Sequence, residues 1–297
     1  MTLTPLLSRR KALITLASAA SVTAFTPLRA NSATAAEAAR KVNLSGRQRM
    51  LTQRMSRAAV FSHLDVEQTR HMELLRVSHT DFTKALAGLR NGDADLGLPL
   101  EDDAKVIEGI SSVEELWTPF DAKVRGMLDR DAVTPEDIAY VAETNTKLLF
   151  LCDNVVQQIV EVYGNKDVHI GHVVSINVAG RQRMLSQKMA KEAGLIAFGE
   201  HKEEVAATLN KTADLFDVSL SALITGLPTV TLPAPPPGVM MKLYEVEAVW
   251  ADYQPIIRRV ANMQEAADYE LAAIAAQADP LLKKMNDAVT AYEQLVS

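Results

Sequence analysis

With 297 residues, 48% hydrophobic but only 5% aromatic, the chain has apolar mass for one large domain or two ordinary ones. Leu, Ala and Val supply that mass, as in packed helices. The net charge of −6 becomes −10 once the four basic residues of 1–35 are set aside, which argues against nucleic acid or anionic lipid as partner. A single cysteine, Cys152, excludes an internal disulfide and a metal site built on cysteine.

Residues 1–35 read as an export signal. Ser8-Arg9-Arg10-Lys11 precedes an apolar stretch from Ala12 to Phe25, and Ala33-Thr34-Ala35 has the small-x-small pattern of a cleavage site. The paired arginines resemble a twin-arginine signal; an ordinary secretory signal or an uncleaved N-terminal anchor are the alternatives. No second apolar run of 18 residues follows, so the mature chain is expected to be periplasmic and soluble.

Four helical stretches come next. The first runs from about Leu44 to His63. The second, from about Asp65 to Arg90, stops at the turn signal Asn91-Gly92. The third spans roughly Asp103 to Leu128, with Pro119 expected to kink it. The fourth opens at Thr134-Pro135-Glu136-Asp137, which combines an N-cap, a first-position Pro and acids in the first turn, and ends near Gly164-Asn165.

The plan then repeats. VNLSGRQRMLTQRMSR (42–57) returns as INVAGRQRMLSQKMAK (176–191), 134 residues later, with nine of sixteen positions identical, too many for chance. Phe82 answers Phe216, Leu98-Pro99 answers Leu232-Pro233, and VEELW (113–117) answers VEAVW (246–250). In the second copy LPTVTLPAPPPGV (227–239) reads as a stiff, extended loop. The expectation is an all-α chain of two tandem antiparallel four-helix bundles, residues 36–166 and 167–297.

On a helix at about 100° per residue, Leu44, Leu51, Met55 and Ala58 form a core stripe, and Arg49 points away from it. Around Arg49 lie Gly46, Ser45, Thr52, Gln53 and Ser56; the second copy supplies Gly180, Ala179, Ser186, Gln187 and Ala190 around Arg183. A face of small and hydrogen-bonding residues permits close approach of another helix, and its twin is the best match. Arg49 and Arg183 would then converge on one seam. Two guanidinium groups about 6 Å apart repel by roughly 3 kcal/mol at an effective dielectric of about 20, and an anion between them reverses the sign. The planar donor fork suits a planar oxyanion, with Gln53 and Gln187 as further donors. Residues 38–64 and 169–191 carry no acid at all, which agrees with a local anion site. Arg47 and Arg181 flank the core side and should reach acids on neighbouring helices.

The two motifs resemble the signature of the type IV pili methyl-accepting chemotaxis transducer N-terminal (PilJ-type) domain, which is similar to the periplasmic sensor domain of nitrate/nitrite sensor kinases. That resemblance implies antiparallel four-helix bundles and a nitrate site shared between two first helices, each giving a Gly and an Arg three residues later. Those positions match Gly46 with Arg49, and Gly180 with Arg183. A further family arginine matches Arg54, where the second copy has Lys188. No kinase or signalling coiled coil is legible after the last helix, so the expected partner is a separate membrane receptor, sensor kinase or transporter.

The six histidines suggest surface or capping roles rather than a metal site, and Trp117 and Trp250 read as core anchors. No cofactor or enzymatic motif is present, so no catalysis is expected. The reading is an exported module that binds nitrate or nitrite at the seam, formed within one chain or in a homodimer. The alternative is an envelope protein-interaction module, related to pilus and chemotaxis receptors, with no small ligand.

Overall fold

The computed structural model describes residues 34–164, 170–199 and 201–296. Residues 1–33 of the expected export signal lie outside that range. The described residues form eight α-helices: α1 (Ala35–His63), α2 (Gln68–Asn91), α3 (Ala104–Arg130), α4 (Pro135–Tyr163), α5 (Ile170–Phe198), α6 (Lys202–Thr225), α7 (Pro237–Met263) and α8 (Asp268–Glu293). The fold is all-α, as the patterning implied.

Within each half the helices pack in a closed ring, α1 on α2 and α4 with α3 opposite, and α5 on α6 and α8 with α7 opposite. Each half is thus a four-helix bundle of consecutive helices. The most extensive contact in the molecule, however, joins the halves, where α1 lies along α5. These two helices are therefore covered on both sides. Polar residues such as Ser45, Gln48, Thr52, Gln53 and Ser56 on α1, and Ser175, Gln182, Ser186 and Gln187 on α5, are buried with the apolar ones. A helix covered all round cannot be read from an apolar stripe alone.

Local chemistry accounts for the helix starts. Thr34 caps α1 through a reciprocal pair with Glu37, so α1 begins nine residues before the periodic pattern does and inside the expected cleavage motif. Asp103 caps α3 with bonds from the amides of Lys105 and Val106. Thr134 and Asp137 form the capping box of α4, with Pro135 at its first position. Helix α3 continues through Pro119.

The turns repeat as faithfully as the helices. Gly92 and Gly226 end α2 and α6 with φ of 76° and 75°, and a Cβ at either would sit under 3.0 Å from a backbone nitrogen. Single β-bridges, Asp93 to Leu98 and Leu227 to Leu232, close the two equivalent loops. This corrects the reading of 227–239 as extended throughout. Pro228–Val230 forms a 3₁₀ turn, Thr231 takes φ of 58°, and α7 already begins at Pro237.

Candidate functional site

The Cβ-less positions of the repeated motif bring the two arginines together. A Cβ built on Gly46 would lie 3.2 Å from Arg49 Nη2 and 3.6 Å from Arg183 Nη2; one on Gly180 would lie 3.3 Å from Arg183 Nη2 and 3.5 Å from Arg49 Nη2. The two Nη2 atoms are therefore within about 7 Å of one another, over a floor made by the two glycines. Each arginine also crosses to the opposite helix. Arg49 Nη2 donates to the Asn177 carbonyl (3.3 Å) and Asn177 Oδ1 (3.0 Å), and Arg183 Nη2 donates to the Asn43 carbonyl (3.2 Å). Asn43 and Asn177 are equivalent positions, so the seam has a local two-fold relationship.

The seam is closed to solvent: Arg49 is 0% exposed and Arg183 3%. The Nε atoms of both have no hydrogen-bond partner. Each is thus a desolvated cation with an unused donor, an expensive arrangement unless something negative balances it.

The balance is one-sided. Arg49 Nη1 donates to Asp153 Oδ1 at 2.6 Å, and Arg181 Nη2 donates to the same carboxylate at 3.0 and 3.2 Å. Burial alone would push Asp153 up, yet the two guanidiniums hold it below the usual carboxylate range. Arg183 has only amide and carbonyl oxygens. Its Nη1 donates to Asn286 Oδ1 at 3.3 Å, and among the described residues no carboxylate comes within 4.0 Å. Burial first, then the neighbouring Arg49 and Arg47, pushes Arg183 down to about 9, with the field of Glu293 opposing the shift.

Arg47 and Arg181 do reach acids on neighbouring helices, but not equivalent ones. Arg47 pairs with Asp81 on α2 at 2.6 Å, whereas the position equivalent to Asp81 in the second copy is Leu215. Arg181 crosses instead to Asp153 on α4. The partner of Asp153 in the repeat, Asp287, faces Lys283 at 3.6 Å on its own helix.

Gln53 and Gln187 stand about one turn along, with their Nε2 donors engaged elsewhere and Gln187 Oε1 buried without a hydrogen-bond partner. Gln53 Nε2 donates to Asn145 Oδ1 (2.7 Å), and its Oε1 accepts from Lys191 (2.9 Å). Gln187 Nε2 donates to the Ala278 carbonyl at 3.1 Å. The motif's other glutamine, which the periodicity argument passed over, holds each first helix to its own bundle: Gln48 donates to the Phe82 carbonyl and Gln182 to that of Phe216. Arg54 lies 3.6 Å from Asp279 and Lys188 pairs with Glu192, both away from the seam.

His71 is 1% exposed and bonds the Val66 carbonyl through Nδ1, so of the two expected roles, surface or capping, the surface one does not apply to it. Trp117 and Trp250 are buried against Phe82 and Phe216. Among the described residues no cluster of three or more His, Cys, Asp or Glu could hold a metal, and no helix is long and apolar enough to cross a membrane.

Comparison with protein families matches the one described as type IV pili methyl-accepting chemotaxis transducer N-term, over residues 30–143 and again over 172–287. The two matches fall on the two bundles. Searches against curated proteins and solved structures returned no match.

Proposed function

The chain belongs to the type IV pili methyl-accepting chemotaxis transducer N-terminal family as two tandem copies, and we propose that it is an exported, non-catalytic binding module for a small oxyanion, nitrate or nitrite. One observation carries this reading: Arg183, buried without a carboxylate, beside Arg49, over Gly46 and Gly180. An anion bonded to both guanidinium forks would offset the repulsion and use the idle Nε donors. Because the seam is closed, entry requires α1 and α5 to part or slide. Binding energy then enters as a change in the relation of two bundles, which a separate membrane receptor, sensor kinase or transporter could read.

The test is thermal unfolding of residues 34–297 in nitrate, nitrite, sulfate, acetate and chloride at equal ionic strength. A ligand at 100 times its Kd stabilises by about 2.7 kcal/mol, or roughly 5–10 °C for a chain of this size. The expected result is a shift confined to nitrate or nitrite and lost in Arg183→Ala. No selective shift would favour the second reading, an envelope protein-interaction module, which has the family's pilus description on its side.

A further inference from the structure

The two halves of the seam are equivalent in sequence position but not in charge. Asp153 and Asp287 are equivalent, as are Arg49 and Arg183. Yet Asp153 reaches the seam and Asp287 does not, although both are present in the chain. The cause lies one layer out. Arg47 is held by Asp81 and has no claim on Asp287. Arg181, with Leu215 where that acid would be, swings to Asp153. Asp153 is thereby fixed between Arg181 and Arg49, with one oxygen on the Nη1 of Arg49.

A carboxylate on a guanidinium is chemically a planar oxyanion on its binding fork. Resting on the proposed anion-binding reading, the geometry points to Asp153 as the residue that determines which anions the seam accepts. Its carboxylate already occupies one of the two anion positions, so the seam takes a single monovalent oxyanion, held chiefly from the Arg183 side. Asp153 is shared by Arg49 and Arg181, so Arg183 is the seam guanidinium that no carboxylate contacts among the described residues. A monoanion matches that single open position. A dianion such as sulfate would bring a second negative charge towards Asp153.

Asp153→Asn is the direct test, because the amide keeps an acceptor for Arg49 while removing the charge. Wild type, Asp153→Asn and Asp287→Asn are titrated with nitrate and with sulfate, followed by calorimetry and by unfolding midpoint against a chloride reference. The expected result is a nitrate affinity raised roughly tenfold or more in Asp153→Asn, together with sulfate binding that wild type lacks. Asp287→Asn should behave as wild type. If wild type binds nitrate and Asp153→Asn neither tightens it nor admits sulfate, the inference is overturned and the seam reading stands. If wild type binds nothing but Asp153→Asn binds nitrate or sulfate, the seam is no sensor in the native chain and Asp153 is its permanent internal anion. If neither responds, both ideas fall. Should Asp153→Asn not fold, Arg181→Gln tests the same point from the other direction. Asp153 loses its second partner and sits wholly on Arg49, so nitrate affinity should fall; an unchanged affinity overturns the inference.

Discussion

Lys191 Nζ lies 3.1 Å from Asn145 Oδ1, an ammonium facing an amide where the other half of the molecule sets a guanidinium against a carboxylate. The equivalent positions are Arg57 and Asp279, and there Arg57 Nη2 donates to Asp279 Oδ1 at 2.9 Å. Both contacts cross between the bundles. One is a charged pair; the other leaves a buried cation with Gln53 Oε1 and Asn145 Oδ1 as its acceptors and Glu192 as an acid whose field favours its charge.

This difference sets a pH dependence. Burial pushes Lys191 down to about 8 from an unfolded value of 10.5. Below pH 8 the group is charged in both states and its desolvation cost is fully present. Between about 8 and 10.5 the unfolded chain binds more protons than the native one, so stability contributed by this group rises with pH, by at most about 1.4 kcal/mol per unit. Chemical denaturation of wild type and Lys191→Met from pH 7 to 10.5 should show this rise in the difference between the two curves. Parallel curves would mean that Lys191 keeps its proton throughout.

The two seam arginines should respond differently to neutralisation in chloride buffer. Arg49→Gln leaves Asp153 with Arg181 alone. A broken buried pair costs about 3–5 kcal/mol, but the Asp153 side chain is a third exposed, so the expected loss is nearer 1–3 kcal/mol. Arg183→Gln removes a cation that has no carboxylate and should stay within about 1 kcal/mol of wild type. Urea midpoints of the two variants give the comparison, and equal losses would contradict the one-sided charge balance.

Glycine substitutions separate the seam from the core. At Gly46 and Gly180 an added Cβ meets the flexible ends of Arg49 and Arg183 at 3.2–3.6 Å. The helix interior gains roughly 0.5–1 kcal/mol from Ala, while the methyl fills the space between the guanidiniums. Gly46→Ala with Gly180→Ala should therefore retain or raise the unfolding midpoint and lose the nitrate response. At Gly194 the Cβ would stand 2.7 Å from Val60 Cγ1 and 2.9 Å from the Phe61 ring, where α5 crosses α1. Gly194→Ala should cost about 1–3 kcal/mol by overpacking.

Much of this arrangement is legible in the sequence because the chain states it twice. The 134-residue register places Gln48 with Gln182 and Gly92 with Gly226, and each pair does the same job in its own half. The small-residue face around Arg49 and Arg183 is legible for the same reason: only a helix pairing with its twin needs it on both copies. The charge balance is harder to see. Asp153 lies 104 residues from Arg49 and on another helix, with no periodic signal linking them. What could have revealed it are the places where the copies disagree, Asp81 against Leu215 and Asn145 against Asp279, because a lost acid in one half forces its arginine or lysine to find another partner. The early start of α1 went unread because its cap, Thr34 with Glu37, adjoins a segment that reads as a processing signal.

Two identical subunits must write both sides of their contact from one set of codons, so any substitution appears twice and symmetry is compulsory. Joining the copies in one polypeptide lifts that rule. Position 145 can become Asn while 279 stays Asp, and 215 can become Leu while 81 stays Asp. Tethering also fixes the stoichiometry: α1 meets α5 at any dilution, and no partner copy has to be found. A polarity between the halves, with one arginine satisfied and the other waiting, is open to a duplicated gene and closed to a homodimer.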